Sequence, residues 1–178
     1  MGRIYCVLVM SGRTYLVPVA GLKMPKVPKV KRKRNLNSGL RRPTTKLSGV
    51  DVSVLFDPKQ MVTTLVRLIS ESECVVGCVA WLTHPQVLSA LEKVDSTIVM
   101  TKHRANYWKR HIKVKFIGKG RLLMHHKFLV GFDASGPAWV SLGSFNVTKS
   151  AVTNLENMLV CRDRRLAKVF SKEFDRLI

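Results

Sequence analysis

The run CVVGCVAWL, at residues 74–82, is apolar almost throughout and constrains the fold more than any other segment. A strand with one wet face alternates apolar and polar residues, whereas a strand covered on both faces does not. The run therefore predicts a central strand of a sheet that carries helices on both faces. Helical patterns flank it on either side, beginning near Asp57 and near Thr83. The sequence thus predicts an α/β fold.

The other elements follow from similar patterns. Asp57 is expected to cap a first helix that has Pro58 at its first position. Thr83 and Gln86 are interpreted as a capping box for a second helix, and Asp163 begins the last one. Further strands are predicted over residues 52–56, 96–101, 113–117, 121–132, 137–145 and 157–161. The inner face of the last helix is predicted to hold Leu166, Val169, Phe170, Phe174 and Leu177.

The N-terminal part has a different composition. Residues 3–19 predict two short strands around a Ser-Gly turn, and residues 23–46 combine many Lys and Arg with several Pro and no acid. The second segment cannot bury enough apolar surface to offset its ordering entropy, so we interpret it as a flexible basic arm. We assign residues 1–48 to an N-terminal hairpin and arm, and residues 49–178 to one α/β domain.

Positive charge dominates the chain. It has 31 Lys and Arg against 11 Asp and Glu, a formal net charge of +20. Such a balance favours a polyanionic partner, with nucleic acid first and an anionic membrane surface second. No stretch is long enough to span a bilayer, so we expect no stable membrane insertion. The arm either is a solvated linker or contacts phosphates, and its uniform charge favours contact by Lys31, Arg32, Lys33 and Arg34.

The cysteines do not predict a metal site. Cys74 and Cys78 form a C-x3-C spacing with no second pair nearby, which is not a zinc pattern. Both lie in the apolar run, where a cysteine acts as a small core residue in a reducing compartment.

Two histidines and a lysine interrupt the otherwise apolar run LLMHHKFLVGFD. Because residues two apart in a strand face the same way, His125 and Lys127 share one face and His126 points to the other. The chain then turns and returns through GSFN, where Ser144 and Asn146 also share a face. If the two segments are neighbours, an imidazole, an ammonium, a hydroxyl and an amide meet at one place.

This set of groups suits a phosphate diester. The lysine supplies positive charge, and the hydroxyl and amide donate hydrogen bonds to non-bridging oxygens. A histidine acts as a nucleophile or as an acid–base group near neutral pH. Gly143 is expected to let an anion approach the backbone. No cluster of Asp and Glu is present to hold magnesium, so we expect neither a metal nor another cofactor.

The motif resembles a known signature. His125-x-Lys127, a following aspartate, and the GSFN that holds Ser144 and Asn146 resemble the HKD signature of the phospholipase D superfamily. MHHKF followed by GSFN and a later NLEN is especially similar to its small single-motif endonucleases, which occur in bacteria, phages and mitochondria. The resemblance covers roughly residues 49–178. It implies a phospholipase D-like mixed β-sheet flanked by helices on both faces.

The resemblance also implies roles for individual residues. His125 would attack phosphorus and form a phosphohistidine intermediate, while Lys127, Asn146 and Ser144 hold the phosphoryl oxygens. Glu156, in NLEN, resembles the glutamate that orients a catalytic histidine. Single-motif members are homodimers whose active site spans the two-fold axis. The second histidine protonates the leaving oxygen and then activates water.

The aspartate departs from the signature. In the family it comes five positions after the lysine, where this chain has Phe132, and Asp133 is one place late. A β-bulge would absorb the extra residue. This aspartate braces the family's structure, so the resemblance gives Asp133 a part in the geometry of the site more than in its chemistry.

A second basic segment interleaves charge with aromatic rings. TKHRANYWKRH contains Arg104, Lys109 and Arg110 together with Tyr107 and Trp108. This mixture predicts phosphate contacts with base stacking on Trp108. The alternative is a loop whose aromatic residues only pin it to the domain.

We therefore expect a homodimeric, metal-independent phosphodiesterase that cleaves nucleic acid, DNA rather than RNA. The compact single-motif form favours the cytoplasm of a bacterial or phage-infected cell, and the basic tract leaves a nuclear location as the alternative. Two other functions stay open. One is a cardiolipin-type phospholipid hydrolase of the same superfamily, and the other is an inactive nucleic-acid-binding protein, which the displaced Asp133 would favour.

Binding to nucleic acid should weaken steeply with salt if several basic side chains contact phosphates. Each contact releases counterions, so a plot of log K against log salt concentration should have a slope of about −0.9 per contact on duplex DNA. Fluorescence anisotropy over a salt series measures this slope. An affinity that does not change with salt contradicts the prediction.

Overall fold

The computed structural model describes the backbone of residues 5–10, 13–18 and 45–46, and both the backbone and the side chains of residues 51–118 and 123–178. The chain divides into two compact units, Met1–Lys33 and Arg34–Ile178.

The N-terminal unit contains an antiparallel pair of strands. β1 (Tyr5–Met10) pairs with β2 (Arg13–Pro18), which confirms the two strands that the sequence predicts. Most of the predicted arm, including Lys31–Arg34, lies outside the described residues. Its end differs from the prediction, because Thr45 and Lys46 form a short strand instead of belonging to the arm.

One mixed sheet organises the second unit. Its strands are β3 (Thr45–Lys46), β4 (Val52–Leu55), β5 (Cys74–Val79), β6 (Asp95–Thr101), β7 (Lys113–Ile117), β8 (Lys127–Asp133), β9 (Gly136–Gly143) and β10 (Met158–Cys161). Their order in the sheet is β3-β4-β10-β9-β8-β5-β6-β7. β5, β6 and β7 run parallel to one another, and the other neighbours pair antiparallel. The α-helices among the described residues of this unit are α1 (Pro58–Ser70), α2 (Pro85–Leu91) and α3 (Arg164–Leu177).

Both faces of the sheet are covered, as the apolar run predicts. α1 and α2 contribute Met61, Leu65 and Leu91 to the larger hydrophobic core. α3 closes a smaller core on the opposite face, where Phe174 packs with strand residues such as Val130. The predicted α/β class, a mixed sheet between helical layers, is confirmed.

Two of the predicted helix starts are confirmed by their caps. The Asp57 side chain accepts a hydrogen bond from the backbone N–H of Lys59 at 2.9 Å. The Asp163 carboxylate accepts from the N–H groups of Arg165 and Leu166 at 2.8 and 3.2 Å. A hydrogen bond from the Arg165 side chain, with those backbone bonds, lowers the pKa of Asp163 to about 2. The carboxylate therefore stays ionised at the positive end of the helix dipole.

The predicted capping box of α2 is wrong. The helix begins at Pro85 and is preceded by His84, whose side chain makes no capping hydrogen bond. The N–H groups of Thr83 and His84 instead donate to the carbonyl of Val147, at 2.8 and 3.0 Å. Long-range pairing therefore holds this segment extended up to Pro85, and Gln86 does not act as the second half of a box.

The inner face of α3 also differs from the prediction. Leu166 and Val169 are 37% and 62% exposed. The buried stripe instead passes through Ala167 and Phe174, with Phe170 and Leu177 packed beside them. Alanine gives only a weak apolar signal in a sequence because its side chain is small, although Ala167 continues the stripe at helical spacing.

A register shift lies where the sequence led us to expect a bulge. Gly131 pairs with Trp139 and Phe132 pairs with Pro137, so Ala138 is the extra residue. The irregularity therefore lies between Gly131 and Phe132, and the additional residue belongs to β9. It does not absorb the extra residue between Lys127 and Asp133, so that part of the prediction is wrong.

None of the helices in the described part of the chain is long and apolar enough to cross a membrane.

Replacing Gly131 with alanine should destabilise the domain. An added Cβ would lie 2.1 Å from Trp139 Nε1, and the indole N–H donates to Ser72 Oγ at 3.0 Å, which holds the ring in place. Overpacking of this kind costs about 1–3 kcal/mol. Urea denaturation measures the free energy of unfolding. Val169→Ala, at an exposed site, is the control and should change it by less than about 0.5 kcal/mol; equal stability of the two variants contradicts the prediction.

Candidate active site

Pairing of two adjacent strands brings the motif segments together. β8 and β9 run antiparallel with Phe128 opposite Leu142, so Lys127 begins one strand beside Gly143, which ends the other. Both strands are shorter than predicted, because β8 begins only at Lys127 and β9 ends at Gly143. The candidate histidine and hydroxyl therefore lie just beyond the end of the ladder formed by β8 and β9.

The Lys127 ammonium contacts both nitrogens of the His125 ring. Nζ lies 3.2 Å from each ring nitrogen and donates to the His125 carbonyl at 3.0 Å. An ammonium donates only to a ring nitrogen that carries no proton, so the tautomer of His125 decides which of these two contacts is a hydrogen bond. Burial lowers the pKa of Lys127, while the negative charge of Glu156 acts in the opposite direction.

His126 lies on the other side of the chain. Its Nε2 is 3.3 Å from a carboxylate oxygen of Glu173 on α3, and its ring centroid is 5.7 Å from that of Phe128. The two histidines therefore face opposite ways, as the alternation predicts, and only His125 contacts Lys127.

Ser144 is tied to the carboxylate that the sequence singles out. Its hydroxyl donates to Glu156 at 2.5 Å and accepts from the N–H of Asn157 at 3.1 Å. Asn154 donates to the other Glu156 oxygen at 3.2 Å. Among the described residues, the Glu156 oxygens thus bind Ser144 and Asn154, and the implied contact with a histidine is not made within one chain.

Gly143 does not act as predicted. An added Cβ would lie 2.2 Å from the carbonyl oxygen of Asn157. The space beside this glycine is therefore filled by the chain's own backbone and is not open to an anion. The absent side chain lets the segment that carries Glu156 approach Ser144.

Asn146 contributes an amide with unused hydrogen-bonding capacity. Its Oδ1 is buried and has no hydrogen-bond partner among the described residues. The next residue, Val147, is fixed by the N–H groups of Thr83 and His84. The unpaired atom is an acceptor, so a phosphate oxygen would have to bind the Nδ2 donor of this amide.

Contacts that the sequence does not reveal hold the His125 segment. The Thr101 hydroxyl donates to the carbonyl of Met124, and the N–H of Ala80 donates to that of His126 at 2.9 Å. The Trp81 ring meets the His125 ring edge to face, with centroids 5.7 Å apart. Nothing in the sequence distinguishes Trp81 from the other residues of its apolar run.

A comparison with known families identifies the family of this chain. A family profile described as "Cardiolipin synthase, PLD-like domain" matches residues 32–178, most of the chain. The chain belongs to the phospholipase D-like family. Membership confirms the resemblance drawn from the motif, including the prediction of an enzyme of the phospholipase D superfamily.

Solved structures share the fold. NucT from Helicobacter pylori is similar to this phospholipase D-like domain with a TM-score of 0.61 and 18% identity, over 70% of this chain and 93% of that one. Nuc from Salmonella typhimurium, a phospholipase D family member, gives a TM-score of 0.58 and 22% identity, over 70% and 91% of the two chains.

A curated relative is the uncharacterized protein L381 of Acanthamoeba polyphaga mimivirus. It is 25% identical over 62% of this chain, and the match spans 59% of the relative's length.

The Asp133 of this phospholipase D-like domain lies apart from His125. It ends β8, the strand that Lys127 begins, so it is roughly 20 Å from the other motif residues. Its carboxylate binds the Arg164 guanidinium at 3.0 and 2.5 Å. The guanidinium and the N–H of Ser135 lower the pKa of Asp133. The structure therefore joins Asp133 to the start of α3 and does not bring it to the site.

The basic loop reaches the site through His103, whose ring contacts Trp81 at 6.3 Å between centroids. Arg104 and Lys109 are exposed, and Arg110 pairs with Glu92 at 2.7 Å.

The aromatic residues of this loop have different environments. Trp108 packs against the core and donates its indole N–H to the Leu82 carbonyl at 2.8 Å, which favours the anchoring alternative for this residue. Tyr107 is 56% exposed, and its ring contacts that of Phe116 with the centroids 4.7 Å apart and the planes tilted by 38°.

Within residues 51–118 and 123–178, no three His, Cys, Asp or Glu side chains are grouped as a metal site requires.

Replacing Glu156 with glutamine should lower the pKa of Lys127 further, because the carboxylate is what opposes the effect of burial. The Lys127 ammonium should then lose its proton at a lower pH than in the wild type. A ¹³C NMR titration of labelled lysines measures the midpoint, with Lys127→Met to assign the signal. Glu173→Gln, on the opposite face, is the control and should leave the midpoint unchanged; an unchanged midpoint in Glu156→Gln contradicts the prediction.

Proposed function

We propose that this chain is a metal-independent phosphodiesterase that cleaves nucleic acid, DNA rather than RNA. The observation that carries the proposal is the His125 imidazole with the Lys127 ammonium 3.2 Å from its ring nitrogens. An imidazole beside the positive charge of Lys127 combines a nucleophile with an anchor for phosphate oxygens. Family membership agrees with this chemistry.

The reaction proceeds in two displacements. A His125 ring nitrogen attacks phosphorus, a P–N bond forms, and the bond from phosphorus to the leaving oxygen breaks. The leaving oxygen takes a proton from an acid on the opposite side. Water then attacks phosphorus and its proton passes to the group that protonated the leaving oxygen. The P–N bond breaks, which restores the imidazole. Lys127 and Asn146 bind the non-bridging oxygens, and Ser144, held by Glu156, supports them.

The acid on the opposite side is proposed to be the His125 of a second copy. An in-line displacement places the nucleophile and the leaving group on opposite sides of phosphorus, so one histidine is poorly placed for both tasks. A two-fold symmetric dimer supplies the second histidine without any new residue.

Charge supports nucleic acid as the substrate. The formal net charge is +20, and Arg104 and Lys109 are exposed on a loop joined to the site through the His103–Trp81 ring contact. Positive side chains spread beyond the reacting groups suit an extended polyanion, which binds by many phosphate contacts. The basic arm would add affinity without selecting a sequence.

A cardiolipin-type phospholipid hydrolase is the second candidate, and the description of the matching family favours it. The same His125 chemistry would cleave a lipid phosphodiester. Hydrolysis of cardiolipin in liposomes, with no cleavage of nucleic acid, would support this alternative.

Supercoiled plasmid in excess EDTA should be nicked by the wild type. His125→Ala should lower the rate on the order of a thousandfold or more, because the nucleophile is lost. His126→Ala is a matched control, since that ring contacts Glu173 and Phe128 on the other face, and it should retain activity. Gel electrophoresis of the plasmid measures the rate.

Other outcomes are equally informative. Tight binding without cleavage of plasmid, single strands or RNA contradicts the nuclease proposal and leaves the inactive binding protein or the lipid hydrolase. Equal loss in both histidine variants would contradict the assignment of His125.

A further inference from the structure

Trp81 lies between two imidazole rings. Its ring centroid is 5.7 Å from that of His125, with an interplanar angle of 81°, and 6.3 Å from that of His103, at 78°. Both contacts are edge to face, the geometry that aromatic pairs prefer. The indole therefore restricts the His125 ring from one side and is itself restricted by His103.

The buried side chain of Asn106 holds the backbone of Trp81. Asn106 is 1% exposed, and its Nδ2 donates to the Ala80 carbonyl at 2.8 Å, while its Oδ1 accepts from the Leu82 N–H at 3.3 Å. These groups belong to the two peptide bonds on either side of Trp81. Nδ2 also donates to the Thr101 carbonyl at 2.9 Å, so both polar atoms of the amide are used.

The segment around Trp81 joins both halves of the motif. On one side the N–H of Ala80 binds the His126 carbonyl, and on the other Leu82 bridges to Val147, next to Asn146. Residues 80–84 therefore form a frame to which the histidine segment and the asparagine segment are both attached.

We infer that Trp81 is a positioning residue for His125 and that Asn106 holds Trp81 in place. The inference rests on the proposed function, in which a His125 nitrogen must point at phosphorus. His125 lies outside the ladder, is exposed, and contacts the long, flexible side chain of Lys127. Glu156, the residue that the resemblance assigns to orienting a histidine, binds Ser144 and Asn154 instead. The indole is a rigid neighbour of the ring, because the backbone beneath it is fixed.

Two substitutions at Trp81 separate the ring contact from simple space filling. Trp81→Phe keeps an aromatic ring, whereas Trp81→Leu keeps apolar volume without one. Misdirection of a nucleophile by about 1 Å costs on the order of a hundredfold in rate. We expect Trp81→Leu to lower kcat on bis(p-nitrophenyl) phosphate by a factor of this order with KM unchanged, and Trp81→Phe to recover most of the loss. Asn106→Asp, which loses both donated hydrogen bonds, should lower kcat in the same way.

Circular dichroism and thermal unfolding show whether each variant is folded at the assay temperature. A second measurement does not depend on turnover: diethyl pyrocarbonate modifies His125 and His126, and peptide mass spectrometry gives the ratio of the two within one molecule. Trp81→Leu should raise the share of His125, and Trp81→Phe should not.

The outcomes separate the two proposals. A wild type that hydrolyses neither the diester nor plasmid overturns the proposed function and this inference with it. An active wild type with Trp81→Leu equally active overturns the inference alone. An equal loss of kcat in Trp81→Phe and Trp81→Leu also overturns it. So does a rise in KM at constant kcat in Trp81→Leu, which would make Trp81 a substrate-binding residue.

Discussion

The antiparallel pairing of β8 with β9 is the interaction on which the rest of the site depends. The two strands are joined by a tight turn, so their pairing closes only a short loop and costs little chain entropy. It places the start of one strand beside the end of the other, and so Lys127 beside Gly143. The helical layers on both faces bury the middle of this pair, which leaves only its end available for chemistry.

The functional side chains lie beyond the last hydrogen-bonded pair of β8 and β9, so the peptide groups there lack a partner in the neighbouring strand. Peptide groups beyond the last ladder pair need other partners, because unpaired buried groups are destabilising. The chain supplies them one by one: Thr101 for the Met124 carbonyl, Ala80 for the His126 carbonyl, and two N–H groups for the Val147 carbonyl. His125 is exposed to solvent, yet the carbonyls of the residues on either side of it are hydrogen-bonded.

The sequence predicts the layers of this fold well and its local ends less well. Burial of the run at 74–82 and the caps at Asp57 and Asp163 follow from local chemistry, so they could be predicted. The start of α2 depends on Val147, more than sixty residues away, and α3 buries Ala167 in place of Leu166 and Val169. Such outcomes depend on what packs against an element, and a pattern along one chain does not contain that information.

The candidate site shows the same division. His125 and Lys127 were predicted to share a face because strand alternation is local, and their contact agrees. Asp133 could not be placed, since its partner, Arg164, comes from an element distant in sequence. Nothing in the sequence marks Trp81 or Asn106 as part of the site, because a tryptophan in an apolar run ordinarily lies in the core and an asparagine in a loop is ordinarily solvated.

Because His125 and His126 face opposite ways, the position of each histidine relative to Lys127 decides which face carries the functional imidazole. Deleting either codon gives the same sequence, Met-His-Lys, and the surviving imidazole is then the one next to the lysine, on the α3 side. A methionine would occupy the position two residues before Lys127. One histidine of the pair therefore cannot replace the other. His126 fixes the separation between His125 and Lys127, so an insertion or deletion here moves the imidazole to the opposite face even where the composition is almost unchanged.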